Sequence, residues 1–241
     1  MENNFLKDKN ILFFGLENCI NSKLLIEFLI NLGCNLTIIL GRKRIEKLPK
    51  DVFAWNGDFI FSYRCYWLIP LEIIKKAKYL AINFHPATPD FPGSGSCNWA
   101  IYSSAKEFGL TVHLMNEQFD NGKILKVYKF KIKDNIDIDE LIKESYKFSF
   151  KCFKEYINEL NKNSSSYISF LKKQDLGIKW SSKAKNLKEL NEMRKINLDM
   201  SKIEIEKRIK AFHMHNYPIK LFINDTYYEL ISKENKKKFS Y

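Results

Sequence analysis

Three side chains of this 241-residue sequence have the types and order that one acyl-transfer step would need: Asn83, His85 and Asp120. Asn83 and His85 stand two apart at the end of the apolar run Leu80–Phe84, and side chains two apart in a strand share a face. Asp120 ends a later strand-like stretch, just before Asn121-Gly122. An amide N–H can donate to a developing oxyanion. An imidazole can take or return a proton near neutral pH. A carboxylate beside the imidazole can orient it and favour its charged form. Each residue alone reads more simply as a polar cap on a strand end. The ordered set, with Asn98-Trp99-Ala100 between its halves, is what points to chemistry.

Positioning these groups takes a sheet. Ile11–Gly15 reads as a buried strand. Cys19–Leu32 reads as a helix with Ile20, Leu24, Phe28 and Leu32 on its inner face, capped by Gly33. Leu36–Leu40 is the next strand, and this strand–helix–strand start predicts a parallel sheet with crossover helices. The turn at Gly15 lacks a G-x-G-x-x-G run, which argues against a dinucleotide site. Asp58–Tyr63 and Leu80–Phe84 are further strands, with a short helix over Leu71–Lys78 behind Pro70. Asn83 and His85 then lie at a strand C-terminus, where open α/β sheets hold ligands. Asn98–Lys106 reads as helix. Leu110–Asn116 and Lys123–Ile132 read as strands joined by the Phe119–Gly122 turn, and Ile138–Asn161 as a long helix. The polar run Asn163–Ser166 reads as a linker, dividing a region 1–162 from a smaller, basic region 167–241. There, Ser201 and Glu204 form a capping box for a helix with Ile205, Ile209 and Phe212 on one face. Ile219–Ile223 and Thr226–Ile231 flank Asn224-Asp225 as a hairpin, and Lys233–Tyr241 reads as a frayed tail.

The bulk numbers narrow the class. A net charge of +12 and a pI near 9.3 fit a Lys-rich background spread along the chain. Attraction to anionic small molecules is the second reading and nucleic-acid binding the third. The five cysteines (19, 34, 65, 97 and 152) form no C-x-x-C pair. They read as reduced, mostly buried thiols of a cytoplasmic protein, and no metal is expected. Met1–Asn10 is polar, Ile11–Gly15 is too short for a leader, and no stretch reaches the length of a membrane span. His113 reads as a structural neighbour of the site, and His213 with His215 as no metal pair.

The ordered pattern Asn83-Phe84-His85-Pro86, then Pro89, Pro92 and Gly93, then Thr111-Val112-His113 and Asp120-Asn121-Gly122 resembles the folate-dependent formyltransferase family, most closely over residues 58–132. The resemblance implies a Rossmann-like α/β formyltransferase core, a mainly parallel sheet with helices on both faces, followed by a small C-terminal α/β appendage. It implies a catalytic Asn83, His85 and Asp120 acting on the formyl carbon of N10-formyltetrahydrofolate as cosubstrate. His85 would accept the amine proton and help stabilise the tetrahedral oxyanion. Asn83 would donate to that oxyanion, and Asp120 would hold His85. Folate would lie between Trp67-Leu68-Ile69 and Asn116-Glu117-Gln118-Phe119. The loop after His85-Pro86 departs from the usual S-L-L-P-x-Y-R-G: it is one residue shorter and lacks the arginine.

Three branches of that family compete for the amine. Methionyl-tRNA formyltransferases carry a larger basic C-terminal domain. Glycinamide ribonucleotide formyltransferases carry a Gly/Ser-rich phosphate loop, which Gly15-Leu16-Glu17-Asn18 replaces poorly. Sugar-nucleotide N-formyltransferases match best, through Tyr63–Trp67, Asn98-Trp99-Ala100 and the run Arg208–Pro218. Their likeness implies a dTDP-linked 4-amino-4,6-dideoxyhexose, with the 3-amino isomer close behind, destined for O-antigen or related glycans. Arg64 would pair with the diphosphate, and Asn98, Trp99 and Tyr217 would contact nucleotide or sugar. A homodimer is expected, with Phe212 and Tyr217 as alternative interface residues. The non-enzyme alternative is a basic RNA-binding module, for which no sequence motif speaks.

Overall fold

The computed structural model describes residues 4–42, 46–163, 165–181, 183–223 and 226–230. Four parallel strands come first: β1 (Asn10–Leu16), β2 (Asn35–Gly41), β3 (Gly57–Tyr63) and β4 (Ala77–His85). Two antiparallel strands follow, β5 (Glu107–Leu114) and β6 (Ile124–Lys131), and the sheet order is β2-β1-β3-β4-β5-β6. The long central strand β4 therefore has a parallel neighbour, β3, on one side and an antiparallel neighbour, β5, on the other.

The central strands are apolar on both faces because both are covered. Along β1, Ile11, Phe13 and Leu16 enter one core with α1 (Ile20–Asn31) and α4 (Ile138–Lys162). Leu12 and Phe14 enter the other, with Val52, Ile60, Ile69, Ile73 and Ala81. Phe153 of α4 sits at the heart of the first core. Its ring lies 4.2 Å from that of Phe84 and about 6 Å from those of Phe13, Phe61 and Tyr63.

Several elements differ from the sequence expectation. Helix α1 buries Ser22, Leu25 and Leu29, whereas Ile20 and Leu24 are exposed. The helix is apolar nearly all round, so periodicity could not choose its stripe. Ser22 is selected because its hydroxyl accepts from Leu16 N–H at 3.2 Å. The helix behind Pro70, α2, spans only Leu71–Ile74, because Ala77 onward pairs with β3. Helix α3 (Ser96–Tyr102) likewise stops before Glu107, which opens β5. The expected linker at 163–166 overlaps the start of a helix: α4 ends at Lys162 and α5 runs over Ser165–Lys173.

Beyond it lie α6 (Leu187–Met193), β7 (Lys195–Asn197), α7 (Lys202–Phe212), β8 (Lys220–Ile223) and β9 (Thr226–Glu229), with a three-stranded sheet β7-β8-β9. Helices α5 and α6 and strand β7 were not anticipated. At Ser201 half of the expected box forms. Its hydroxyl accepts from Glu204 N–H, but the Glu204 carboxylate turns to Tyr102 and Arg208. The hairpin tip Asn224-Asp225, the end of its second strand at Ile231 and the tail lie outside the described residues.

The C-terminal elements share a core with the main sheet layer. Ala211, Phe212, Ile219, Leu190 and Ile196 pack with Ala87, Cys97, Ala100, Ile101 and Phe108. Phe212 is fully buried there, with its ring 5.1 Å from Trp99 and 5.7 Å from Tyr102. It is therefore not available to a subunit interface.

Candidate active site

Asn83 pairs across the β4–β5 ladder with His113, and residues directly opposite in an antiparallel pair put their side chains on one face. His85, two residues on, joins the same face. Asp120 is returned to it by a tight passage. Gly122 runs so close to Leu114 that a Cβ would sit 1.6 Å from its carbonyl oxygen. Asp120 itself takes the left-handed region at φ 43°, where a non-glycine residue stores strain.

The four groups form one buried network. Asp120 Oδ2 lies 3.1 Å from His85 Nδ1 and accepts from Gly93 N–H at 2.8 Å. Its Oδ1 accepts from Asn83 Nδ2 at 3.2 Å and lies 3.5 Å from His113 Nε2. Asn83 Nδ2 is also 3.0 Å from His113 Nε2, whose Nδ1 faces the Leu114 carbonyl at 2.9 Å. His85 Nε2 faces the Phe91 carbonyl at 2.9 Å. Both ring nitrogens of His85 thus face acceptor oxygens, an arrangement that favours its charged form.

Burial opposes both charges of the His85–Asp120 pair, yet the pair overcomes it. For Asp120, burial alone would raise the carboxyl. The His85 charge and hydrogen bonds from His113 and His85 hold it far below the usual carboxylate range. For His85, burial would favour the neutral ring. The Asp120 charge, its hydrogen bond and the Phe91 carbonyl raise the pKa above the ordinary histidine value.

The loop after His85 is pinned from below. Thr111 Oγ1 donates to the Ala87 carbonyl at 2.7 Å and Ser145 Oγ to that of Pro86 at 3.3 Å. Above it, Lys185 N–H donates to the Pro92 carbonyl and Ser94 N–H to the Lys185 carbonyl. Gly93 is required on two counts: its φ is +88°, and a Cβ would meet Lys185 O at 2.3 Å.

Of the two expected folate walls, Trp67 and Ile69 pack into one apolar cluster, which reaches Met115, the residue before the second segment. Trp67 Nε1 donates to the Glu46 carbonyl at 2.7 Å, and Met115 N–H to that of Ala81 at 2.9 Å. Leu68 and Phe119 are left exposed, as are Glu117 and Gln118, whereas Asn116 is half-buried and accepts from Gln118 N–H.

Arg64 follows β3 directly, just after the Tyr63–Phe84 pair, and like Asp120 has a positive φ, 57°. Its guanidinium stacks 3.8 Å from the Tyr146 ring, donates to that hydroxyl at 2.6 Å and reaches Cys19 Sγ at 3.3 Å. It lines a cavity of about 380 Å³ with Asn18, Asn21, Lys143 and Lys147, where Asp139 supplies a negative charge. Burial would raise the Cys19 thiol, but hydrogen bonds from Ser22 and the Arg64 charge lower it. Cys34, Cys65, Cys97 and Cys152 are instead pushed up to about 12 by burial.

Asn98, Trp99 and Tyr217 do not join this cluster. Asn98 is buried and donates to the Ala211 carbonyl at 2.7 Å. Trp99 donates to the Ser94 carbonyl and packs on Phe212. Tyr217 is exposed, with Arg194 over its ring at 4.6 Å. Sequence reasoning missed Trp180, whose ring stands 5.0 Å from that of His113 and 5.8 Å from that of His85. The only signal was one large aromatic in a run of Lys, Gln, Asp and Ser.

Comparison with known proteins decides the family. The profile described as formyl transferase matches residues 41–166, more than half of the chain. The chain belongs to the formyl transferase family. Among curated relatives of this formyl transferase, the methionyl-tRNA formyltransferase of Clostridium tetani is 30% identical over 160 residues, 62% of this chain and 50% of that protein. The GDP-perosamine N-formyltransferase of Brucella melitensis is 33% identical over 87 residues, 36% of this chain and 31% of that protein. The chain thus spans half or less of the length of these relatives. Among solved structures, the N-formyltransferase of Helicobacter canadensis, in complex with folinic acid and dTDP-3-aminofucose, superposes with a TM-score of 0.65. The match covers 90% of this chain and 85% of that one at 18% identity, and shows a shared fold.

Proposed function

We propose that this formyl transferase moves a formyl group from N10-formyltetrahydrofolate to the amino group of a dTDP-linked amino-dideoxy sugar, with dTDP-4-amino-4,6-dideoxyglucose the first candidate. The observation that carries the reading is the hydrogen-bonded Asn83–His85–Asp120 network at the C-terminal end of β4; the basic cavity at Arg64 supports it. The folate and the dTDP-sugar bound by the Helicobacter canadensis structure support it, as does the likeness to a GDP-perosamine enzyme.

In this reading the exposed Leu68 and Phe119 contact the pterin. Arg64, Lys143 and Lys147 neutralise the diphosphate. The amine then attacks the formyl carbon and His85 accepts the proton it loses; the tetrahedral intermediate collapses by breaking the C–N10 bond, and His85 returns the proton to N10 as tetrahydrofolate leaves. For that, His85 must first be neutral, with Nε2 unprotonated and parted from the Phe91 carbonyl, so the 87–93 loop opens as substrate enters. Asn83 Nδ2 donates to Asp120 Oδ1 and lies 3.0 Å from His113 Nε2 in this conformation. Donation to the oxyanion requires its amide to turn outward.

We assign residues 1–162 to catalysis and 167–241 to substrate or dimer contacts, in a cytoplasmic homodimer serving O-antigen or related lipopolysaccharide synthesis. The second reading, methionyl-tRNA formylation, is favoured by the Clostridium tetani relative. The test is formyl transfer to a panel holding dTDP-4-amino- and dTDP-3-amino-dideoxyglucose, UDP-amino sugars, glycinamide ribonucleotide and Met-tRNA. We expect turnover of one dTDP-sugar, reduced about 10²- to 10⁴-fold by His85→Ala. Turnover of Met-tRNA or glycinamide ribonucleotide alone would overturn the substrate, and silence across the panel would overturn the activity.

A further inference from the structure

The cluster has a cover that none of the expected site residues supplies. His85, His113 and Asp120 are 5%, 2% and 9% exposed although they sit near strand ends facing a loop. The chain between α5 and α6 crosses over them. Gln174 Nε2 ties its start to the Leu125 carbonyl at 3.1 Å. Ser181 ties its middle to the catalytic loop, donating from N–H to Pro89 and from Oγ to Asp90. Lys185 ties its end through the bridge to Gly93. Between these ties Trp180 turns inward. Its ring presents edge-on to both imidazoles, at interplanar angles of 88° to His113 and 67° to His85. Its Nε1 donates to the Gly122 carbonyl at 2.8 Å, within the turn that carries Asp120.

We propose that Trp180 is a positioning residue of this active site: it clamps His85 and His113 against Asp120 and excludes water from their hydrogen bonds. The indole suits this task. One face of the contact is apolar and holds rotamers by packing, while its N–H fixes the ring to the Asp120 turn. Water admitted here would compete for the His85–Asp120 hydrogen bond and screen its charges. The strap also couples the cover to the loop: the 89–94 segment cannot leave His85 Nε2 without loosening Ser181 and Lys185. Trp180 therefore lifts from the site in step with the loop opening that the proposed activity calls for and covers it again as the loop returns, and in that respect the inference rests on that activity.

The test begins without substrate. In ring-¹⁵N-histidine-labelled protein, the Nδ1–H protons of His85 and His113, assigned by their loss in His85→Ala and His113→Ala, are expected to be shielded from solvent and visible. In Trp180→Ala they are expected to vanish through exchange with water, while amide signals of the distant β1–β2 strands stay unchanged. Trp180→Phe, which keeps a ring, is expected to restore them in part. Under turnover, kcat is expected to fall about tenfold to a hundredfold in Trp180→Ala, with the KM for the formyl donor changed less than about threefold and partial rescue by phenylalanine. Trp180→Leu, which keeps apolar bulk, gives the same reading if the alanine variant does not fold. Ring N–H signals that persist unchanged in the alanine or leucine variant would overturn the proposal. A wild-type protein that transfers no formyl group would overturn the proposed activity and leave the magnetic-resonance result to decide the role of Trp180.

Discussion

Asp120 holds its position at a conformational cost, at φ 43°, and is repaid by hydrogen bonds from Gly93 and Asn83 and by the His85 charge. The pair's ionisation has two measurable consequences. As the proton acceptor, His85 must be neutral, so kcat/KM should rise with pH along a limb above the ordinary histidine value of about 6.5. Asp120→Asn removes the charge that raises His85 and leaves burial, which lowers it. The limb should move to lower pH as the rate falls. A limb that stays in place would show that another group controls it. Stability follows the same pair. The His85 contribution is full below about pH 6.5 and is lost as pH rises through its raised pKa; the Asp120 contribution is full above about pH 3.9 and is lost as pH falls through its depressed one. Urea unfolding should therefore show the largest gap between wild type and Asp120→Asn between those values, narrowing on either side.

Strands and loops set where these groups can be. The β4–β5 ladder makes His113 face Asn83, and the 87–93 loop needs a residue without Cβ where Lys185 crosses it. Gly93→Ala should cost about 1–3 kcal/mol through backbone strain alone. It should also push Lys185 away, releasing Gly93 N–H from Asp120. Denaturant midpoints and kcat measured together check this: a variant as stable and active as wild type would show that the loop tolerates a shifted strap. Helix α4 acts on the other side of the sheet. Phe153→Ala, removing a fully buried ring beside Phe84, should destabilise by about 3–5 kcal/mol, read as a lower urea midpoint.

Over the whole molecule, the C-terminal third is joined to the site through a common core. Asn98 bonds the Ala211 carbonyl, Trp99 packs on Phe212, and Lys185 lies over the Trp99 ring at 5.3 Å. Phe212→Ala should therefore cost about 3–5 kcal/mol and, unlike Phe153→Ala, should also raise proteolytic nicking in the 174–186 strap. Protection of the strap despite loss of Phe212 would show that its own ties suffice. The +12 charge is local at one place that bears on function, the Arg64 cavity with Lys143 and Lys147.

Residue order along the chain was enough for the strands of the main sheet, the long α4 and the proximity of Asn83, His85 and Asp120, because burial on both faces and two-residue spacing leave direct marks in sequence. The stripe of α1 was not legible, since Ile20, Leu24, Leu25 and Leu29 are alike in hydrophobicity and only the contact of Ser22 with Leu16 separates them. Nor could spacing reveal that Asn98 and Trp99 serve the C-terminal core, or that Trp180 covers the cluster. Those are contacts between segments far apart in the chain, and register, strap path and packing decide them after the chain has closed on itself.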